Sequence, residues 1–155
     1  MINNAALDFA SQLLAHMGFS VSRAEIVSVA KHNFDIVEID IDHKIPTGGF
    51  AEFLHSVQTL VRLQLANDSS FTDEQIHKVV IDINGFVARN IKDLETKVAL
   101  LANRAVTFGV NVSMEPLNPF ERKIAHSLLD SIHGVRNESV GFGRERHIVI
   151  YPTKD

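Results

Sequence analysis

The residue types best suited to hold a ligand lie near the C-terminus, where Arg122 and His126 stand four positions apart. On a helix this spacing puts both side chains on one face, one turn apart. A guanidinium and an imidazole so placed could clasp the same phosphate group. Because the chain contains eight histidines, the pair is a weak signal by itself. Its meaning depends on the elements that would position it.

A helix with a complete start signal is predicted around this pair. Asn118 can cap the first turn, Pro119 falls at the first helical position, and Glu121 is placed to reach back to the cap. Apolar residues at helical spacing predict the face that packs on a core, namely Phe120, Ile124, Leu128 and Ile132. The helix should therefore begin sharply at Asn118.

The segment that follows the helix predicts a β-hairpin, because two strand-like runs flank a loop at Gly141-Phe142-Gly143. Arginine suits phosphate through its planar fork, and it can also stack on an unpaired base. The candidate binding residues are Arg122, His126, Arg144 and Arg146, followed by Arg136 and Lys123. Phe142 is compatible either with stacking on a base or with packing into the core.

Structural roles are the alternatives for the two leading candidates. Arg122 could form an ion pair with Glu121 or Asp130, and His126 could bond to a backbone carbonyl as a packing residue. Exposed arginine and histidine are common on helices, so the pair needs the support of the whole ordered motif.

The order of these features resembles a known family. It runs from Met114-Glu115-Pro116 through Glu121-Arg122 and His126 to Ser139-x-Gly141, Arg146 and Ile150-Tyr151-Pro152. This string resembles the R-three-H domain, a module that binds single-stranded nucleic acid and is named for its Arg-x-x-x-His. It is also similar to the C-terminal part of the bacterial Jag proteins, also called KhpB or SpoIIIJ-associated proteins. The resemblance implies binding roles for Arg122, His126 and Arg146, whereas Arg144 is added from the charge count.

Composition excludes several classes of site. The 155 residues, 45% hydrophobic and 22% charged, suffice for one sizeable core or two small ones. Without cysteine there can be no disulfide framework, thiolate zinc site or cysteine nucleophile. No apolar run approaches the roughly 20 residues that span a bilayer, and no signal peptide is recognisable, so we expect a cytoplasmic protein.

The charge is distributed unevenly along the chain. Residues 1–84 hold 5 Lys and Arg against 11 Asp and Glu, a net charge of −6. Residues 85–155 hold 10 against 8, a net charge of +2. A polyanion should therefore prefer the C-terminal half.

The N-terminal half predicts a small α+β unit. The expected elements are a helix over 3–17, strands over 24–30 and 34–41 joined by Lys31-His32-Asn33, a helix over 50–66, a turn-rich segment over 67–74 with a cap at Thr72, and a strand over 78–83. On the second strand, Asp40 and Asp42 alternate with apolar residues. With His43 they could form a divalent-metal site, but a solvated strand face is favoured because alternate strand residues lie about 7 Å apart.

This order of elements is similar to a KH domain of the Jag kind, in which a Gly-x-x-Gly loop clamps the backbone of a single strand. The matching positions are Gly48-Gly49-Phe50-Ala51. The second glycine is replaced by Ala51, and no basic residue stands between. We therefore expect a KH-like scaffold whose grip on nucleic acid is weakened or lost.

A long helix over 85–109 is predicted to connect the two halves. Arg89, Lys92, Lys97 and Arg104 give it a basic side, which is open to interpretation as a binding face or an ordinary solvated face. A strand over 110–114 follows. The predicted fold class is thus α+β: a type II KH-like α-β-β-α-β unit at 1–84, the connecting helix at 85–109, and a small α/β R-three-H domain at 110–155.

The predicted function is binding of single-stranded nucleic acid through the C-terminal module, with RNA favoured and single-stranded DNA as the alternative. No cofactor, metal or membrane is implied, and an enzyme is not expected because no placed nucleophile or metal-spaced cluster is present. A small KH-domain protein or a second copy of the chain is a further candidate partner. The alternative is a protein-interaction adaptor that uses the acidic KH-like half and retains residual nucleic-acid binding.

Overall fold

The computed structural model describes residues 1–29, 34–42 and 48–153, with the side chains of residues 28 and 29 left aside. The chain divides into two compact units, an N-terminal unit of residues 1–88 and a C-terminal unit of residues 89–155. Both combine helices with a three-stranded sheet, which confirms the predicted α+β class. Among the described residues, no helix has the length and apolar character needed to cross a membrane.

The N-terminal unit is a three-stranded sheet covered by helices. Its elements are α1 (Ile2–His16), β1 (Val21–Val29), β2 (Phe34–Ile41), α2 (Phe50–Ala66), α3 (Asp73–Lys78) and β3 (Val79–Ile83). The strand order is β1-β2-β3, with β1 antiparallel and β3 parallel to the central β2. Val37, Ile39 and Ile83 are fully buried in the core.

The outer edge of β3 is closed by a side chain of α2. Gln58 donates from Nε2 to the carbonyl of Val79 at 3.2 Å, and its Oε1 accepts from the N–H of Ile81 at 2.8 Å. The carboxamide thus supplies the two hydrogen bonds that a further strand would make. This contact fixes α2 against the sheet.

Two features of the N-terminal unit differ from the sequence predictions. The short helix α3 was missed, although its cap at Thr72 was foreseen, because Asp73–Lys78 is too short to show helical periodicity. The helical spacing of Leu60 from Val57 predicts a place on the apolar stripe of α2, but Leu60 is exposed. His43, of the alternative metal site, lies outside the described residues. Within the described ones, no group of three His, Cys, Asp or Glu side chains could hold a metal ion.

The C-terminal unit takes most of α4 (Phe86–Phe108), whose first turn belongs to the N-terminal unit. The elements that follow are β4 (Val112–Ser113), α5 (Pro119–Asp130), β5 (Val135–Val140), a short 3₁₀-helix (Gly143–Glu145) and β6 (His147–Pro152). The sheet order is β4-β6-β5 and all pairs are antiparallel. The predicted hairpin is therefore confirmed as β5-β6.

The core of the C-terminal unit lies under α4, α5 and β6. It includes Leu94, Val98, Ala102 and Ala105 of α4, Ile124, Ala125, Leu128 and Leu129 of α5, and Ile148 and Ile150 of β6. The helical spacing of Phe108 from Ala105 predicts a place on the buried stripe of α4. Phe108 is instead 70% exposed, because it is the last residue of the helix, where the stripe runs past the core.

Candidate nucleic-acid interface

The start of α5 is built as its sequence predicts. The N–H of Glu121 donates to Asn118 Oδ1 at 2.9 Å, and the N–H of Asn118 donates to Glu121 Oε2 at 3.1 Å. This reciprocal capping box, with Pro119 in the first turn, fixes where the helix begins. The register of Arg122 and His126 on α5 is therefore set locally.

Arg122 is turned toward the loop that precedes α5. Its Nη1 donates to the carbonyl of Leu117 at 2.6 Å, while the N–H of Leu117 donates to the carbonyl of Arg146 at 3.2 Å. Leu117 thus links the Arg122 guanidinium to the chain at Arg146. Neither Glu121 nor Asp130 forms a salt bridge with Arg122, and no carboxylate of the described residues does.

His126 joins α5 to β5 through both ring nitrogens. Nδ1 is hydrogen-bonded to Asn137 Oδ1, and Nε2 lies 2.8 Å from Ser139 Oγ. Asn137 in turn donates from Nδ2 to Asp130 Oδ1 at 2.9 Å. A direct contact between His126 and a phosphate would require one of these bonds to open.

The connection between β5 and β6 forms what we call the hairpin tip, residues 141–146. Gly141 has φ +89°, and a Cβ there would meet the carbonyl oxygen of Glu145 at 3.0 Å, so only glycine fits. Arg144, Arg146 and Phe142 are all exposed, and the Phe142 side chain reaches 93%. The solvent-facing position of Phe142 excludes the core-packing interpretation.

The direction of α5 relative to β5 places Arg122 near the hairpin tip. His126 contacts Ser139, and Asp130, one turn later, contacts Asn137, so α5 and β5 run in opposite directions. Arg122, one turn before His126, is therefore displaced by about 6 Å toward the tip. The structure brings Arg122, Arg144 and Arg146 to one end of the C-terminal unit.

The two weaker candidates are placed differently. Arg136 alternates with Asn137 on β5, so its side chain lies on the sheet face opposite to His126. There it pairs with Glu138 at 3.1 Å, and its guanidinium carbon lies 4.1 Å from the centroid of the Tyr151 ring. Lys123 is exposed on α5 next to Arg122.

The corresponding loop of the N-terminal unit has a different character. Gly48 and Gly49 form an exposed turn, and Gly49 has φ +94°. Phe50 and Ala51 already belong to α2, and the Phe50 ring is buried against Phe86, with centroids 4.8 Å apart. Residues 48–51 therefore offer backbone and an apolar anchor but no positive charge.

A row of carboxylates crosses the sheet of the N-terminal unit. Glu25, Glu38 and Asp82 stand directly opposite one another on neighbouring strands. Burial, together with the carboxylates of Asp82 and Glu25, raises the pKa of Glu38. Asp82 is fully buried, and its oxygens accept the N–H groups of Val87 and Ala88 at 3.0 and 2.9 Å, which caps the first turn of α4. This row would repel a phosphate backbone.

Comparison with known proteins identifies the C-terminal part. Residues 89–152 match the R-three-H domain. This match places an R-three-H domain in the C-terminal part of the chain. The Arg-x-x-x-His pair, the hairpin and the tip described above all lie within this R-three-H domain.

The whole chain is similar to curated proteins named RNA-binding protein KhpB. One from Clostridium symbiosum is 27% identical over 96% of this chain and 65% of its own length. Another from Streptococcus pneumoniae is 24% identical over 91% of this chain and 43% of its own length. A third, from Bacillus subtilis, is 27% identical over 66% of this chain and 49% of its own length. The resemblance to the Jag family is confirmed, and the chain spans 43% to 65% of the length of these relatives.

Two side chains that contact His126 were not among the candidate binding residues. Asn137 and Ser139 hold its ring from alternate positions of β5, and Ser139 was named only as part of the family motif. Their polar side chains at the inward positions of a half-buried strand were the available signal, because such positions are ordinarily apolar.

Proposed function

We propose that this protein binds single-stranded RNA through its R-three-H domain. The observation that carries the proposal is the gathering of Arg122, Arg144 and Arg146 at one end of the C-terminal unit without a carboxylate partner among the described residues. Cations that are not neutralised internally are available to replace the counterions of a phosphate backbone. The names of the KhpB relatives support RNA as the ligand.

His126 acts in this proposal by positioning. By holding Asn137 and Ser139 of β5 against α5, it fixes the hairpin relative to the helix that carries Arg122. Preorganised donors lose less conformational entropy when the ligand binds. Lys123 adds positive charge near Arg122, and Arg136, on the opposite sheet face, is left outside the binding surface.

The N-terminal unit is proposed to be a KH-like scaffold with little grip of its own. Its helices and strands follow the order expected for that domain, with α3 added, and its glycine turn lacks charge. No catalytic reaction is proposed for either unit. A cytoplasmic location, expected from the sequence, remains part of the proposal.

Salt dependence tests the proposal directly. If about three phosphates are contacted, a plot of log affinity against log salt for an unstructured RNA should have a slope near −2. Replacing Arg122 by alanine should make that slope shallower by about 0.7, since one contact is lost. Arg104→Ala, an exposed arginine of α4, serves as the charge-matched control and should leave the slope unchanged.

A slope near zero for the wild-type protein would contradict the proposal. So would equal effects of the Arg122 and Arg104 substitutions, since the loss would then reflect net charge alone. Repeating the titration with DNA of the same sequence decides between RNA and DNA, because a contact to the 2′-hydroxyl favours RNA.

A protein-interaction adaptor is the second candidate, and the partly exposed carboxylates Glu25 and Glu38 together with the exposed Leu60 and Leu63 on α2 favour it. Gel filtration and pull-down after nuclease treatment separate the two functions. The adaptor requires a protein complex that survives nuclease, whereas the RNA-binding function does not.

A further inference from the structure

The most exposed aromatic side chain of the described residues is Phe142, at the centre of the hairpin tip. Apart from Met1, no large hydrophobic residue of the described chain is as exposed as its 93%. Moving a phenylalanine ring out of water lowers the free energy, so a ring kept in solvent does not stabilise the fold. The ring is therefore available to a ligand or a partner.

The backbone holds this ring in place. The N–H of Glu145 donates to the carbonyl of Phe142 at 3.2 Å, and the N–H of Arg146 donates to the carbonyl of Gly143 at 3.4 Å. Gly141 brings the chain so close to Glu145 that no other residue fits there. Phe142 is thus presented from a braced turn, and a ligand would not have to order the loop.

The hairpin tip that carries the ring also carries two arginines and one carboxylate, Glu145. Arg144 and Arg146 follow the ring within four residues, and Leu117 connects Arg146 to the guanidinium of Arg122. An aromatic ring beside cations is the arrangement that binds single-stranded nucleic acid: the cations follow the backbone, and the ring stacks on a base. A protein surface rich in acidic side chains would satisfy the cations but would not need the ring.

We propose that Phe142 stacks on one unpaired base and thereby makes the site selective for single strands over duplexes. The proposal rests on the function proposed above and adds the part of the nucleotide that the ring recognises. In a duplex the bases are already stacked and paired, so Phe142 has no base face to contact, whereas the arginines can still reach phosphate.

The experiment measures affinity for an unstructured RNA and for a duplex RNA of the same length at one salt concentration. Phe142→Ala should weaken binding to the single strand by about tenfold, which is within the range provided by one stacked base. Binding to the duplex and the salt slope on the single strand should not change. Phe142→Leu should behave like Phe142→Ala, because leucine keeps the apolar bulk but has no flat π face.

Phe108→Ala is the matched control. Phe108 is also strongly exposed in the C-terminal unit, but it precedes β4, whose Val112 pairs with Ile150 toward the end of β6 that is remote from the tip. It should leave both affinities unchanged. Because both phenylalanines are exposed, thermal unfolding should confirm that each variant remains folded.

Phe142→Trp provides a direct readout, since the chain contains no tryptophan. Its fluorescence should be quenched by the unstructured RNA and should be unaffected by an RNA strand of abasic sites. Wild-type affinity for Phe142→Ala or Phe142→Leu would overturn the stacking proposal while leaving the RNA-binding function intact. That result is also the one expected if Phe142 docks a protein. Failure of the wild-type protein to bind RNA at all would overturn both.

Discussion

Each unit of this protein places a phenylalanine beside a glycine pair, and the two are used in opposite ways. In the N-terminal unit Phe50 follows Gly48-Gly49 and is 9% exposed, packed against Phe53 and Phe86. In the C-terminal unit Phe142 stands between Gly141 and Gly143 and is 93% exposed. The first ring anchors a helix to a core, whereas the second faces solvent.

The two loops also differ in the charges around them. The described part of the N-terminal loop carries no cation, and the neighbouring sheet face carries the row Glu25-Glu38-Asp82. The hairpin tip carries Arg144 and Arg146 and lies close to Arg122. Glycine thus provides the turn in both places, and the residues around it decide whether the turn can bind a polyanion.

The largest expected effect on RNA affinity comes from removing positive charge at and near the hairpin tip, and we compare it with adding negative charge to the N-terminal loop. Arg122→Ala combined with Arg146→Ala should weaken RNA binding by roughly 100-fold, since charge-assisted hydrogen bonds contribute about 1.5 kcal/mol or more each. Gly48→Glu, at a position where a Cβ meets nothing within 4 Å, should change affinity by less than about twofold. Fluorescence anisotropy at low salt would measure both. Equal losses would mean that the two loops bind together.

Asp82→Asn should destabilise the N-terminal unit by roughly 2 kcal/mol, because the amide can accept only one of the two N–H groups that the buried carboxylate now satisfies. Urea unfolding followed by circular dichroism would measure the change, with exposed Asp8→Asn as the control. RNA affinity at a temperature where the variant is folded should be unchanged. A loss of affinity would show that binding depends on the start of α4.

His126→Ala should cost the C-terminal unit about 1 to 2 kcal/mol, because Asn137 and Ser139 lose a partner. Exposed Ser127→Ala is the neighbouring control. If His126 acts by positioning, Asn137→Ala should lower RNA affinity in parallel with His126→Ala. Wild-type affinity for Asn137→Ala beside a weakened His126→Ala would instead indicate a direct contact between His126 and the RNA.

The smallest expected effect is a pH-dependent gain in the stability of the fold when Glu38 of the acidic row is replaced. Because the pKa of Glu38 is raised in the folded protein, its charged form destabilises the fold. Glu38→Gln should add about 0.5 kcal/mol of stability at neutral pH, as expected when directly opposed like charges are removed. The gain should shrink as pH falls through the raised pKa of folded Glu38, and it should be gone below about 4.3, where Glu38 of the unfolded chain is protonated too. A gain that is independent of pH would assign the effect to packing.

Local signals account for the elements that the sequence predicted well. The bounds of α2 at Phe50–Ala66 and of β2 at Phe34–Ile41 were predicted correctly, and so was the capping box at Asn118. These follow from hydrophobic periodicity and from hydrogen bonds between residues three positions apart. Helix α3 was missed because six residues carry too little periodic signal.

The partners of individual side chains were not predictable in the same way. Asp82 sits among apolar residues of β3, and nothing local indicates that its carboxylate caps the start of α4. The bonds from His126 to Asn137 and Ser139 span 11 and 13 residues, and they exist only because β5 packs beside α5. The assignment of Arg136 to the opposite sheet face depends likewise on which face of β5 packs against α5.

The sequence by itself determined where most of the helices and strands lie, which half carries the positive charge, and that the C-terminal half resembles the R-three-H domain. It did so because capping, periodicity and charge are properties of neighbouring residues. Only the tertiary structure decided that Phe50 is buried and Phe142 exposed, and that His126 is held by β5. It also decided that Arg122 is linked through Leu117 to the hairpin tip. These outcomes depend on which distant segments pack together, and burial and hydrogen-bond partners are set by that packing.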